Sequence, residues 1–276
     1  MAFKIDSSII AWSLAGALLS APATALDWRL GVGGHDYYVD EADSHTLGAG
    51  VSIGLSHLTQ GDIKLTGELN IFVDNDVDEL DPDHIPVWFS SYYSAGGDLV
   101  SLTQHSRLFW DVSLGGKRNT VSSVEKQVRL FPALGYGYQR EGFEADVKLG
   151  GGYYFLEIDD DVPRMRGYDR EDFQNKTGAY TLAAATQFAL GKTFDLSLAA
   201  QQWHDGSDWL ENQLEASLSY DADSWSSESR LVFSVKYNEY NLDPYARVPV
   251  DSPDYLPILP WSKDLFVRIY FDMPWG

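Results

Sequence analysis

Charged and amide side chains recur at every second position within several apolar segments of this 276-residue chain. Because an extended strand turns successive side chains to opposite faces, residues at every second position share one face. A face that carries both signs of charge can form ion pairs with neighbouring strands, or it can line a water-filled space that selects solutes. The candidates are Lys64, Glu68, Asn70, Arg107, Asp111, Arg129, Glu144, Asp146, Lys148, Glu215, Arg230, Lys236, Arg268 and Asp272.

Histidine occurs beside carboxylate or serine in three short segments, Gly34-His35-Asp36, Gln104-His105-Ser106 and His204-Asp205-Gly206-Ser207. A nucleophile, a base and an orienting acid that converged at one rim could hydrolyse an ester. The first and last segments belong to distant predicted strands, and the middle segment is predicted at the opposite end of the fold. Residues that cap turns account for the same side chains. We therefore predict no catalytic residues and keep hydrolysis as the minor alternative.

A run of acidic residues, NDVDELDPD, occupies positions 75–83. Clustered carboxylates suit Ca²⁺, which takes roughly six to eight oxygen ligands. An EF-hand loop is excluded, because no glycine stands at the sixth position from Asp74 and the twelfth residue is Ile85. The run is a loose Ca²⁺ site or a solvated charged loop, and neither a cofactor nor a specific metal site is predicted. The loop candidates are Asp74, Asp76, Asp78, Asp81 and Asp83.

The elements that carry these residues are predicted to be β-strands, because apolar and polar residues alternate over long stretches. In GFEADVKLGGGYYFLEID, residues 142–159, the apolar series from Phe143 to Phe155 alternates with Glu144, Asp146 and Lys148. Strands of this length suit a membrane-spanning barrel better than a soluble sandwich, whose strands are usually shorter. The predicted strands are 27–39, 45–59, 63–74, 87–95, 103–115, 123–139, 142–158, 176–190, 193–204, 209–220, 226–240 and 263–275.

The links between these strands alternate between short and long. Short links follow several even-numbered strands, whereas the links at 75–86, 159–175 and 241–262 follow odd-numbered strands. Tight turns at one end and long loops at the other are typical of a transmembrane β-barrel with periplasmic turns and extracellular loops. The stretch 95–103 contains no clear turn, so ten or fourteen strands are the alternatives to twelve.

The N-terminus predicts export from the cytoplasm. Lys4 precedes the apolar stretch 9–19, and Ala23-Thr24-Ala25 is an A-x-A cleavage site, so residues 1–25 are predicted to be a signal peptide and 26–276 the mature barrel. The chain has no cysteine, and an exported protein without disulfides depends on its own packing and hydrogen bonds. Its formal net charge of −21 argues against nucleic acid as a partner.

These features together resemble the outer-membrane β-barrel proteins of Gram-negative bacteria. The closing segment DLFVRIYFDMPWG, residues 264–276, is similar to the C-terminal recognition strand of such barrels, although Gly276 follows the terminal aromatic Trp275. The resemblance implies an outer-membrane location, contact with lipid and lipopolysaccharide, and insertion by the barrel-assembly machinery. Outer-membrane phospholipases and lipid A deacylases carry short catalytic motifs on lipid-facing strands, and we find no such motif in this sequence.

The prediction from the sequence is a single all-β, antiparallel transmembrane β-barrel that acts as a passive, porin-like channel for small polar solutes. The fourteen inward residues would line its lumen and set its selectivity. Three alternatives stay open: a structural or interaction barrel with an occluded lumen, a lipid-modifying hydrolase, and a soluble exported glycan-binding β-protein. The aromatic content of 14% suits either the interfaces of a membrane or a glycan-binding surface.

Overall fold

The computed structural model describes residues 26–39, 44–75, 87–118, 124–158, 174–241 and 262–275, which form one closed antiparallel barrel. Each strand pairs with its neighbours in sequence, and β1 closes the ring against β12. The predicted twelve-stranded barrel is therefore confirmed. The strands are β1 Asp27–Val39, β2 Ser44–Leu58, β3 Lys64–Asp74, β4 Val87–Ser101, β5 Ser106–Arg118, β6 Val124–Arg140, β7 Phe143–Ile158, β8 Gln174–Leu190, β9 Phe194–His204, β10 Trp209–Asp221, β11 Arg230–Tyr240 and β12 Lys263–Pro274.

The exterior of the barrel is apolar. Leu134, Leu149, Leu182 and Leu214, on β6, β7, β8 and β10, are each more than half exposed on the outward face. In a soluble protein such an apolar surface would have to be covered, whereas in a membrane it contacts lipid. Among the described residues, no helix is long and apolar enough to span a membrane.

One end of the barrel carries the short connections. The turn between β6 and β7 consists of Glu141 and Gly142, and Gly142 adopts a φ of 71° that favours glycine. The backbone amide of Trp275 donates to the carbonyl of Trp28 at 2.9 Å, so both ends of the described chain lie here too. At the opposite end the structure describes only the connection 205–208 between β9 and β10. The links 40–43, 76–86, 119–123, 159–173 and 242–261, and the predicted signal peptide 1–25, lie outside the described residues.

The predicted bounds of three strands, β4, β5 and β11, were wrong. Strand β4 continues to Ser101, because a bulge between Asp98 and Val100 absorbs the irregularity that the sequence shows at 95–103. Strand β5 accordingly starts at Ser106 and extends to Arg118. Strand β11 starts at Arg230 rather than at residue 226, because residues 222–229 form a hydrogen-bonded turn in which the amide of Ser226 donates to the carbonyl of Ala222 at 3.2 Å.

The core of the protein lies inside the barrel. Tyr37, Phe72, Trp88 and Phe266 point inward and pack together, with Val39 beside them, and each side chain is at most 8% exposed. We call these four aromatic residues the aromatic cluster. Phe72 and Trp88 stack with ring centroids 4.0 Å apart. The interior is therefore partly filled by packed rings rather than being polar throughout.

Candidate functional site

The candidate site is the lumen of the barrel. Paired residues on neighbouring strands point to the same side of the sheet, so the register carries one face around the whole ring. His35 pairs with Arg268, which in turn pairs with Ser234, and this series faces inward. By the same rule all fourteen candidates from the sequence point into the barrel. Their role as pore-lining residues stays a prediction.

A vestibule occupies the short-turn end of the lumen, with a cavity volume of about 910 Å³. Within it the guanidinium of Arg107 lies 3.1 Å from a carboxylate oxygen of Asp98, 3.1 Å from Glu144 and 3.3 Å from Asp146. One cation thus faces three acids, so carboxylates outnumber cations in this cluster. The candidate residues that line it are Lys64, Arg107, Asp111, Glu144, Asp146 and Lys148.

A second cavity of about 390 Å³, the chamber, adjoins the vestibule deeper in the barrel. Lys148 lines both cavities, and its ammonium lies 2.7 Å from a carboxylate oxygen of Asp111 on β5. The Lys148–Asp111 ion pair therefore marks the junction between them. The candidate residues that line the chamber are Glu68, Asn70, Arg129, Lys148, Glu215, Lys236 and Arg268.

The remaining two candidates lie close to the barrel's short-turn end. Arg230 lines a third cavity, of about 400 Å³, that is also lined by Arg29 and residues of the short turns. Asp272 accepts a hydrogen bond from Nε of Arg29 at 2.6 Å, an ion pair that joins β12 to β1. Both residues therefore lie at the mouth that the sequence pattern predicts on the periplasmic side.

A polar bridge crosses the lumen from β6 to β10. The carboxylate of Glu211 is fully buried and accepts hydrogen bonds from Gln127 at 2.7 Å, from Arg129 at 3.2 Å and from the hydroxyl of Tyr154 at 3.1 Å. Strands β6 and β10 are four positions apart in the ring, so this is a contact across the interior. Arg129 also lies over the ring of Trp203 at 4.4 Å, which holds the guanidinium in place.

Two further cations lie against the aromatic cluster. Nζ of Lys117, on β5, lies 5.4 Å from the ring centroid of Tyr37 and 6.0 Å from that of Trp88. The guanidinium of Arg268 lies 4.9 Å from the ring of Phe72 and donates to Oγ of Ser52 at 2.6 Å. Rings that carry a negative face thus hold both cations inside the barrel.

The aromatic cluster is anchored at the far end of β3 by a buried histidine and a buried carboxylate. Nε2 of His35 lies 2.5 Å from Oδ1 of Asp74, and Nε1 of Trp88 donates to the same oxygen at 3.1 Å. The structure thus places Asp74 inside the barrel, in contact with these two rings. The other calcium candidates, Asp76, Asp78, Asp81 and Asp83, lie outside the described residues. Within the described part of the chain, no cluster of three or more potential ligands could hold a metal ion.

The histidine segments do not converge. His35 is buried in the lumen, whereas His204 belongs to the β9–β10 hairpin and accepts a hydrogen bond from the amide of Gly206 at 2.8 Å. Oδ1 of Asp205 accepts from the amides of Ser207 and Asp208, each at 2.8 Å, and these bonds lower the pKa of the Asp205 carboxyl. This segment therefore acts as a capped turn. His105 lies in the turn between β4 and β5, at the opposite end of the barrel.

One pair of residues on the outer surface was missed by the sequence reasoning. Nδ1 of His45 lies 2.9 Å from a carboxylate oxygen of Asp36, and its ring stacks on Tyr38 at 4.4 Å. His45 pairs with Tyr38 across β1 and β2, so the register brings the pair together. Among the described residues, no hydroxyl group is hydrogen-bonded to this imidazole.

Lys117 and Glu211 were also missed, although the alternation could have found them. Lys117 lies an even number of residues after Asp111 and therefore shares its inward face. The predicted β5 ended at residue 115 and so excluded Lys117. Glu211 has the same parity as Glu215 and lies on a predicted strand. Neither its complete burial nor its contact with β6 could be inferred from local alternation.

No family model and no curated protein sequence matches this chain. Solved structures with a similar fold include the KdgM porin, with 11% identity over 89% of this chain and 99% of the other, and a TM-score of 0.46. The COG4313 outer membrane channel from Pseudomonas putida F1 shows 9% identity over 91% and 96% of the two chains, with a TM-score of 0.49. Outer membrane phospholipase A from Escherichia coli shows 12% identity over 92% and 93%, with a TM-score of 0.44.

Because each of these TM-scores is below 0.5, the likenesses carry no argument about what this chain is, binds or catalyses. The closed ring of twelve strands, the apolar exterior and the charged residues inside the barrel are features of the chain's own sequence and structure. On that ground, the chain has the architecture of an outer-membrane β-barrel.

Proposed function

We propose that this chain is a narrow passive channel for small polar solutes in a bacterial outer membrane. The observation that carries the proposal is that two cavities lie inside the barrel, the vestibule and the chamber, and that Lys148 lines both of them. Polar and charged side chains line both cavities, as a hydrated path for solutes requires. In this proposal the short-turn end faces the periplasm, and the predicted signal peptide directs the chain to the outer membrane.

A second candidate function is a structural barrel whose lumen does not conduct. The bridge from Arg129 to Glu211 and the contact of Lys117 with Tyr37 each connect strands four positions apart. Such contacts stabilise the barrel and narrow its interior at the same time. The cavities favour the channel, the cross-lumen contacts favour the occluded barrel, and the conductance of the protein distinguishes the two.

Conductance of the purified protein in a planar lipid bilayer is the deciding experiment. We expect discrete, small channel openings, since the chamber is only about 390 Å³ in volume. Substitution of Lys148 by alanine should enlarge the unitary conductance, because this side chain stands where the two cavities join. Arg230→Ala at the mouth is the matched control and should leave the conductance nearly unchanged. A barrel that is folded, as judged by heat-modifiable migration on a detergent gel, and yet silent would refute the channel.

A further inference from the structure

Three cations that line the chamber have no carboxylate partner among the residues that the structure describes. In the part of the chain that the structure describes, no carboxylate oxygen lies within 4.0 Å of the charged groups of Lys117, Lys236 or Arg268. These three residues come from β5, β11 and β12, and all line the chamber. Their charges are therefore directed into the same space from different parts of the wall.

The acids near the chamber are mostly occupied by other donors. Glu211 accepts three hydrogen bonds at the cross-lumen bridge, and Asp111 pairs with Lys148. Asp264 accepts from the hydroxyl of Tyr37 at 2.6 Å and from Asn238 at 2.5 Å. These groups lie in the wall, with their oxygens engaged. They neutralise part of the positive field but offer few free acceptors to a cation in the chamber.

The residues that line the chamber itself carry an excess of positive charge. Five of them are cations and two are carboxylates, Glu68 and Glu215, so the lining has an excess of three positive charges. The cations are Lys117, Arg129, Lys148, Lys236 and Arg268. This sign is opposite to that of the whole chain, whose net charge is −21.

Two of these three cations, Lys117 and Arg268, are held in position by contacts with neighbouring side chains, which favours binding of an anion over general screening of its charge. Arg268 is fixed by the ring of Tyr270 at 4.5 Å and by its hydrogen bond to Ser52, and Lys117 rests against the aromatic cluster. A lysine ammonium has three donors and an arginine guanidinium has a planar fork that matches a carboxylate or a phosphate. The rings themselves are buried and in contact with one another, so they offer little open face for stacking a solute. Recognition in the chamber therefore depends on charge and hydrogen bonding.

From this arrangement we propose that the chamber is a binding and selectivity site for small oxyanions, carboxylate or phosphate in type. The inference rests on the proposed channel function and names the class of solute that the channel prefers. Anions would enter the chamber, displace water from Lys117, Lys236 and Arg268, and leave through the vestibule. Glu68 and Glu215 weaken the binding of anions in the chamber. This allows the anions to leave, since binding that is too strong would stop conduction.

The first test is the reversal potential in a planar bilayer under a KCl gradient. We expect the wild-type channel to prefer chloride to potassium, and the triple variant K117Q/K236Q/R268Q to lose this preference, since it leaves two cations against two carboxylates. The double variant E68Q/E215Q should shift the potential in the opposite direction. Arg230→Gln, which removes an inward cation outside the chamber, is the matched control and should change little. A cation-selective wild type, or a triple variant with unchanged selectivity, would overturn the inference.

The second test does not require conduction and separates the two proposals. Sodium phosphate and sodium acetate, each compared with sodium chloride at equal ionic strength, should raise the thermal unfolding temperature of the folded barrel in detergent, and the triple variant should lose this shift. A silent barrel that still shows the shift would refute the channel and retain the oxyanion site. A conducting barrel with neither the shift nor anion selectivity would refute the site and retain the channel. Single variants replace the triple variant if the triple variant does not fold, as judged on the detergent gel.

Discussion

Replacement of Arg129 by methionine should destabilise the barrel more than any other single change to an inward cation. The substitution leaves the carboxylate of Glu211 fully buried without the guanidinium that now lies 3.2 Å from it. Removing one partner of a buried ion pair typically costs about 3–5 kcal/mol, because the remaining charge is uncompensated. Gln127 and Tyr154 continue to donate to Glu211, so we expect a loss near the lower limit, about 3 kcal/mol.

The reverse substitution, Glu211→Gln, should cost less. It removes the charge but keeps the shape, and Arg129 retains 16% exposure and its contact with Trp203. The loss should approach that of hydrogen bonds to a charged group, about 1.5 kcal/mol. The double variant R129M/E211Q contains neither charge of the pair. Its loss of unfolding free energy should therefore be smaller than the sum of the two single losses by about 1–3 kcal/mol.

Urea unfolding of the barrel in lipid vesicles, followed by tryptophan fluorescence and by migration on a detergent gel, measures these free energies of unfolding. Arg230→Met is the control, because it removes an exposed inward cation at the mouth of the barrel and should change stability by less than about 0.5 kcal/mol. If R129M cost less than about 1 kcal/mol, or if the double variant were simply additive, Glu211 would not be a buried charge that depends on Arg129.

Three further changes test other parts of the structure. Lys148→Ala should raise conductance more than Asp111→Asn, which leaves the lysine in place; equal effects in single-channel recordings would argue against Lys148 as the junction. The amides that donate to Asp205 lower its pKa, so the stability they lend to the β9–β10 hairpin should be present above about pH 4 and be lost as pH falls through the lowered pKa. Hydrogen exchange of that turn should show this loss, and D205N, whose protection should not change over the same range, is the control. Gly48→Ala should reduce the yield of folded barrel, because its Cβ would lie 2.5 Å from the His35 ring, whereas Gly34→Ala, with 3.5 Å to the nearest atom, should be tolerated; equal yields would contradict the close packing at Gly48.

The alternation of side chains predicted most of the fold because it is a local property. In β7 the inward series of Glu144, Asp146 and Lys148 could be identified without knowledge of any other strand, and the structure keeps all three on that face. The end of β4 was predicted less well, since a bulge between Asp98 and Val100 shifts the register by one residue and breaks the alternation. Local rules therefore work for regular strands and fail where the pairing itself is irregular.

Contacts across the lumen could not be predicted by the same rules. Arg129 and Glu211 are 82 residues apart, and only the closure of twelve strands brings β6 and β10 face to face. The packing of the inward aromatic residues could not be predicted either. Phe266 alternates with the apolar series of its strand, and its partners Tyr37, Phe72 and Trp88 come from three other strands. The number of strands and their stagger determine which inward side chains come into contact. Neither quantity can be inferred from the sequence of a single strand.

Net charge is a poor guide to the solutes that a barrel admits, because it does not show which charges inside the barrel are paired. The total of −21 counts every residue equally, whereas a solute inside the chamber is most strongly affected by the few charges within a Debye length that are not already paired. Asp111 and Glu211 contribute to the total but are bound to Lys148 and Arg129, while Lys117 lies against rings instead of acids. The acidic composition therefore governs the long-range interaction of the whole protein with ions in solution. The unpaired charges inside the barrel determine which ions the chamber prefers.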